Sequence, residues 1–492
     1  MRLEPDAVFE VKHRSLRGKI GRLKTKRGYI ETPALLPVID VKRQLVGTER
    51  IRQLGFKAVM TNAYLLLKRG VKVSDIHEFL KFDGVIATDS GAYQMLEFGE
   101  IASTQSEIIS FQEKINVDIG VILDSPTGKT DSDEWARQTV ERTINNAIEF
   151  LKLRNREDIL WVGPVQGGEY LNLVEYSAKK MAGLPFHIHG LGSPTEFLEG
   201  YRYTTILDMI LHSKKHLPPS RPLHLFGAGH PAILPYFVAL GVDLFDSASY
   251  ALFAKDNRYL TSQKTYRLET LTELPCRCSV CEKYTAGELR GLNRKQREKL
   301  LAEHNLSVLA EEISRIKLAI YQGTLWDLLQ SRVYSHPQIF EAFRWMLHRT
   351  RHLAKYSPIT TPSVSGLFAF AHDRPETVLF RERITRFVSH LKPKRFVILS
   401  SKDQISKLEG DWRLDDKTLV MVLNEHFGLI PFEMLDVYPV YQTDSRRVKP
   451  DIRKILSIIN AHKSASVATF DDALYSILRR KLKNVERLHH IM

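Results

Sequence analysis

Eight short apolar runs organise the first 350 residues of this chain, each ending in a polar or glycine-rich turn and most followed by a helical pattern. They are Ala34 to Ile39, Ala58 to Asn62, Gly84 to Ser90, Ile119 to Ser125, Ile159 to Gln166, Phe186 to Gly192, Pro222 to Gly229 and Val242 to Ser247. Parallel strands have this signature, because a strand covered on both faces by crossover helices is apolar at nearly every position. The alternation predicts an α/β fold, a (β/α)8 TIM barrel, with a doubly wound sheet as the alternative. Thr104-Gln105-Ser106-Glu107 and Ser193-Pro194-Thr195-Glu196 fit capping boxes, the second with Pro at the first helical position. Nothing matches the GxGxxG turn of a dinucleotide site, and Gly167-Gly168 alone is too little to count as one.

Chemistry in such a barrel gathers at the C-terminal ends of the strands. The sequence sets Thr61-Asn62, Asp89-Ser90-Gly91, Asp124-Ser125, Gln166-Gly167-Gly168 and Asp246-Ser247 there. A single aspartate at a strand end also serves as the N-cap of the next helix. Three on one rim, with a glutamine, point to a site instead. A pair of carboxylates at one mouth suits glycosyl transfer, one to attack the anomeric carbon and one to move protons.

All three cysteines, Cys276, Cys278 and Cys281, fall within six residues, and His304 follows 23 residues after the last. A cluster this tight in an otherwise cysteine-free chain is no disulfide framework. Three thiolates and one imidazole make a closed tetrahedral Zn2+ site with no position left for a catalytic water, so its expected role is structural. His187-Ile188-His189 on the sixth strand is a second H-x-H motif. Metal-dependent amidohydrolases usually carry that pair on strand one, where this chain has ALLPVI, so the two histidines are assigned to barrel packing or to a pocket wall.

The 492 residues carry a net charge of +14, a surplus that suits a partner with a phosphate backbone as well as a merely solvated basic surface. From Arg351 to Met492, 24 basic residues stand against 16 acidic ones, so the tail is the more basic part. Apolar residues make up 43% of the chain, which excludes wholesale disorder. No run approaches the ~20 apolar residues needed to cross a bilayer, and the N-terminal MRLEPDAVFEVKHR lacks a signal-peptide core. The expectation is a cytoplasmic protein without membrane contact, in three parts. These are a barrel over 1–353 that includes the metal site at 276–304, a mixed α/β domain over 354–445 with strands at RFVILSS and TLVMVL, and a basic helical segment over 446–492.

Six motifs, in order, then carry a family resemblance: TDSGAYQ from Thr88, DSPT from Asp124, GPVQGG from Gly163, LFGAGHP from Leu225, LFDSASYALFAKDNRYLT from Leu244, and the CxCxxC with its distant histidine. Together they resemble the tRNA-guanine transglycosylases over roughly residues 5 to 350, the archaeal branch best. The resemblance implies exchange of guanine 15 in the tRNA D-arm for 7-cyano-7-deazaguanine (preQ0), the first step toward archaeosine. It implies Asp246 as the nucleophile on ribose C1′ and Asp89 as the general acid/base. It also implies Asp124 and Gln166 as the side chains that read the base edge, Tyr93 and Phe226 as the surfaces that stack it, and Gly190 as the gap beside its 7-substituent. Tyr93, Phe226 and Gly190 also suit plain core positions. A homodimer formed around the metal site is implied as well.

Archaeal members usually end in a PUA domain that grips tRNA, for which the residues beyond Arg446 leave no room, so the expectation is a PUA module on a separate chain. A catalytically inactive or repurposed tRNA-binding paralogue, and a zinc-dependent barrel hydrolase, are the other two classes. The first is disfavoured by the presence of both Asp89 and Asp246, the second by a closed metal site.

Overall fold

The structure is a computed structural model and describes residues 8–92, 103–357, 373–408, 417–440, 452–462 and 464–488. It divides into two compact units, Met1–Trp345 and Met346–Met492.

The first unit opens with a three-stranded antiparallel sheet, β1 (Phe9–Ser15), β2 (Gly18–Thr25) and β3 (Gly28–Thr32), which the apolar runs did not reveal. Eight parallel strands follow: β4 (Ala34–Pro37), β5 (Ala58–Asn62), β6 (Val85–Asp89), β7 (Ile119–Val121), β8 (Leu160–Val165), β9 (Ile188–Leu191), β10 (Leu223–Leu225) and β11 (Leu244–Ser247). Each lies inside one of the eight predicted runs. β11 pairs with β4, and the ring closes between β4 and β5 through a parallel bridge from Val38 to Met60, where Ile39 N–H donates to the Met60 carbonyl at 2.7 Å. The (β/α)8 barrel is therefore the architecture.

Side-chain alternation decides which end carries chemistry. The first residues of six strands, Ala58, Val85, Ile119, Leu160, Ile188 and Leu244, form one buried cluster with Phe9, Leu23 and Ile30 of the antiparallel sheet. That sheet thus plugs the N-terminal mouth of the barrel with apolar side chains. Two residues on, Met60, Ala87, Val121 and Val162 fill the next interior layer. Continuing the same period brings Asn62, Asp89 and Asp246 inward at the C-terminal mouth, where the apolar filling stops.

After β11 comes a hairpin, β12 (Arg258–Leu260) with β13 (Thr265–Arg267), and then a 29-residue helix, Arg294–Gln322, capped by the Asn293 side chain, which accepts from Gln296 N–H. The helix begins ten residues before His304, in a run too highly charged to show a buried face from sequence.

The second unit is built on a five-stranded sheet in the order β16 (Gly428–Pro431), β15 (Thr418–Asn424), β14 (Arg395–Leu399), β17 (Ser466–Thr469) and β18 (Val485–Arg487). Only the β15–β16 pair is antiparallel. β14 and β15 are the two strands expected at RFVILSS and TLVMVL. Residues beyond Arg446, expected as helical, form the helices Ile452–Ile459 and Asp472–Arg479 but also supply β17 and β18, so they share one sheet with the residues before them. Val467 and Ala468 are too short a run to stand out as a strand between charged helices. Phe380, Ile384, Phe396, Ile398, Met421, Ile455 and Val467 form the core of this unit.

Candidate active site

The C-terminal mouth of the barrel holds a cleft of about 550 Å³ whose walls include Asn62, Asp89, Asp124, Gln166, Gly192, Phe226 and Asp246. Three carboxylates and two carboxamides from five different strand ends therefore face one space. Tyr93 lies outside the described residues.

Asp89, the last residue of β6, is held by its neighbours on β5 and in the following turn: Asn62 Nδ2 donates to Asp89 Oδ2 at 3.1 Å and Gly91 N–H at 3.3 Å. The Asn62 amide is itself oriented, because its Oδ1 accepts the Leu65 N–H as the cap of the next helix. Burial, reinforced by the negative charges of Asp124 and Asp246, pushes the Asp89 carboxyl up to about 7. It thus exchanges a proton near neutral pH, as a general acid/base must.

Asp124 is 7% exposed, and burial pushes it up to about 6 against the pull of its bond to Gln166. Gln166 Nε2 donates to Asp124 Oδ2 at 2.5 Å. The other end of that amide is fully engaged, with Ser193 Oγ donating to Gln166 Oε1 at 2.8 Å and Thr127 N–H at 3.2 Å. Ser193 sits at φ 62, a left-handed conformation uncommon for serine. It does not cap the helix Thr195–Glu199 as its sequence context predicts: that helix has no side-chain cap, and the hydroxyl is spent on Gln166 instead.

Asp246, in the third position of β11, presents Oδ1 to two donors, His224 Nε2 at 2.9 Å and Gly227 N–H at 3.1 Å. His224 is buried on β10, with its ring 4.6 Å from that of Phe226. Gly190 stands behind Phe226 and is absent from the cleft walls: a Cβ there would lie 2.5 Å from Phe226 Cε2. Gly192, one interior position further along, borders the cleft, and a Cβ on it would lie 2.2 Å from Gln166 Nε2. His187 is buried and accepts the Trp161 N–H through Nδ1 at 3.1 Å, and His189 is buried, so the H-x-H pair packs in the barrel and does not border the cleft.

Cys276, Cys278, Cys281 and His304 converge with all four ligand atoms within 4.8 Å of one another. His304 Nδ1 faces the thiols, 3.5 Å from Cys278 Sγ and 3.4 Å from Cys281 Sγ, while Nε2 donates to the Leu260 carbonyl at 2.9 Å. That bond fixes the tautomer that leaves Nδ1 free to ligate. The Tyr259 ring stacks on the imidazole at 3.7 Å, and its hydroxyl lies 3.3 Å from Cys281 Sγ. The donor set suits a tetrahedral metal ion that ties the Cys276–Cys281 segment to the long helix.

A family model described as queuine tRNA-ribosyltransferase matches residues 15–338, which cover the whole barrel and the cysteine cluster. The chain belongs to this family. Among its relatives are proteins named tRNA-guanine(15) transglycosylase from archaea. That of Saccharolobus solfataricus is 42% identical over 88% of this chain and 90% of its own length. That of Aeropyrum pernix is 41% identical over 89% and 87%. The relative from Methanothermobacter thermautotrophicus is 37% identical and spans 97% of this chain and 74% of its own. The family match reaches every described residue of the cleft, and it places the resemblance seen in the six motifs on the same barrel.

Among the described residues, no helix is long and apolar enough to cross a membrane. Asn62, Thr127, Ser193, His224 and Gly227 touch the carboxylates or Gln166 and had no role assigned to them from the sequence. Asn62 was visible as the residue ending strand two. The others carry no signal of their own, because serine, threonine and glycine are common in turns and a histidine inside an apolar strand looks like packing.

Proposed function

We propose that this protein exchanges guanine 15 in the D-arm of tRNA for preQ0 through a covalent aspartyl-ribosyl intermediate. The observation that carries the proposal is the convergence of Asp89, Asp124 and Asp246 on one cleft, with the family membership behind it.

A base flipped out of the tRNA enters the mouth of the barrel and is read on its edge. Asp124 accepts from N1–H and the exocyclic amine. Gln166, whose Oε1 is occupied, turns its remaining Nε2 proton to O6. Phe226 offers a stacking face, and Tyr93 is proposed as the opposite one. Asp246 attacks C1′ through a carboxylate oxygen as the C1′–N9 bond breaks, and Asp89 gives its proton to the departing guanine. Asp89, now ionised, takes the N9 proton of the incoming base, which attacks C1′ and releases Asp246. Two inversions retain configuration. Gly190, by giving the Phe226 ring its seat, sets the wall beside the 7-substituent.

The ion in the Cys276, Cys278, Cys281 and His304 site is proposed to be zinc, which when bound holds the Cys276–Cys281 segment and the long helix together and takes no part in base exchange. The partners in this proposal are tRNA, a second copy of the chain, and a separate PUA-bearing protein whose addition tightens tRNA binding. The basic surplus supplies backbone attraction that weakens steeply with salt. Exchange is placed in the cytoplasm, where tRNA is made.

The test is incorporation of labelled guanine into an unmodified tRNA transcript, with the labelled nucleotide mapped by nuclease digestion and mass spectrometry, and with preQ0 as competitor. Label at nucleotide 15, suppressed by preQ0, is expected. Label elsewhere, or indifference to preQ0, contradicts the assigned position or base.

A further inference from the structure

We propose that His224 is a positioning residue that divides the two oxygens of Asp246, reserving Oδ2 for attack on the ribose and stabilising the carboxylate as it leaves. The proposal rests on the base-exchange reading above.

Asp246 Oδ1 accepts two hydrogen bonds, from His224 Nε2 at 2.9 Å and from Gly227 N–H at 3.1 Å, and both donors are fixed. His224 is 2% exposed on a barrel strand, and Gly227 holds its N–H in place at φ 70, a left-handed conformation open to glycine. Nε2 carries the proton of the first contact, since an ionised carboxylate has none to give. With Oδ1 doubly engaged, the lone pairs that remain to attack C1′ are those of Oδ2.

The two displacements then respond to His224 in opposite ways. In the first, the C1′–N9 bond breaks and a C1′–Oδ2 bond forms, guanine leaving with the electron pair and taking a proton from Asp89. Negative charge drains from Asp246, and the two N–H bonds at Oδ1, now a carbonyl oxygen, weaken. In the second, the incoming base attacks C1′, the C1′–Oδ2 bond breaks, and the electron pair returns to the carboxylate. Charge grows on Oδ1, and the same bonds strengthen. Donors aimed at an oxygen that gains charge lower the barrier of that step. His224 thus makes Asp246 a better leaving group at the cost of some nucleophilic strength, and it disfavours the covalent intermediate as a resting state.

The experiment compares the parent with His224→Phe, His224→Gln and Asp246→Asn. It measures guanine exchange, tRNA affinity, and the fraction of protein trapped as a denaturation-stable adduct with tRNA. Loss of one donor to a carboxylate predicts a fall in turnover of about 10- to 100-fold in His224→Phe. The trapped fraction is expected to rise above that of the parent while tRNA affinity holds. His224→Gln, which keeps an N–H donor, is expected to recover most of the turnover and lower the trapped fraction. Unchanged turnover in His224→Phe overturns the proposal. So does parallel loss of turnover and adduct with glutamine no better than phenylalanine, the pattern of a merely structural histidine. Asp246→Asn is expected to give no adduct. A parent that itself gives none overturns the covalent reading and this inference together, whereas an adduct in the parent with no response to His224 overturns this inference alone.

Discussion

Gln166 Nε2 donates to Asp124 Oδ2 at 2.5 Å, and this one contact ties the two side chains proposed to read the base edge into a rigid pair. Because Ser193 and Thr127 occupy Gln166 Oε1, the amide cannot turn over, and the cleft meets a base with an acceptor at Asp124 beside a donor at Gln166. That pattern complements a 6-oxo purine and opposes a 6-amino one.

Asp124→Asn replaces an acceptor with a group that offers a donor to another donor. The expected loss is about 1.5–3 kcal/mol or more in kcat/KM for guanine, with tRNA affinity little changed. Steady-state kinetics with varied free base checks it, and a loss confined to tRNA affinity would place Asp124 outside the base site.

Gly192→Ala sets a Cβ 2.2 Å from Gln166 Nε2, so the amide must leave its place. The prediction is a rise in KM for the free base of about tenfold or more, while the thermal midpoint falls by only a few degrees. Gly190→Ala instead displaces the Phe226 ring and is expected to change the relative preference for bases that differ at position 7. Competition kinetics with guanine and preQ0 separates the two variants.

The carboxyls of Asp89 and Asp124, pushed up to about 7 and about 6, set the pH dependence. The first displacement needs Asp89 protonated and Asp124 ionised. Under single-turnover conditions, adduct formation should therefore rise through about pH 6 and fall through about pH 7, with apparent values that belong to the coupled group. Stability runs with the opposite bias from an ordinary paired aspartate. The folded state holds protons that the unfolded chain releases near its usual carboxylate range, so these residues make the protein less stable as pH rises from about 4 to 7. Asp89→Asn removes that penalty and is expected to abolish exchange while stabilising the protein at pH 8 by up to about 4 kcal/mol. Denaturant melts at pH 5 and pH 8 read the difference, which should shrink at the lower pH.

Cys278→Ser or prolonged chelation should release the metal ion and destabilise the barrel unit by at least about 3 kcal/mol, because ligation energy is folding energy at such a site. Metal content and thermal melting together check this, and restoring the ion to chelated protein should restore both. Cobalt substitution should give the intense thiolate charge-transfer bands of a tetrahedral site.

Much of this was legible in the sequence, for identifiable reasons. Eight buried parallel strands leave eight apolar runs, and Asp89, Asp124 and Asp246 stand out because a carboxylate ending such a run breaks the pattern. The cysteine cluster was legible because its spacing has few other uses. The antiparallel plug of β1 to β3 was not, since β1 and β3 show water much of their length and all three strands mix Lys, Arg or Glu with the residues they bury. Neither was the role of Ser193, whose local sequence predicts a helix cap with equal force. His224 was hidden for a similar reason: what it does depends on Asp246, 22 positions away in the chain and 2.9 Å away in space.

In the proposed reaction this cleft breaks and remakes a glycosidic bond in tRNA through Asp246. The most direct test is incorporation of radiolabelled guanine into a tRNA transcript by the parent and by Asp246→Asn side by side. Incorporation by the parent, with none by a folded Asp246→Asn that still binds tRNA, is the predicted result. Equal incorporation by both, or none by a parent that binds tRNA, would contradict it.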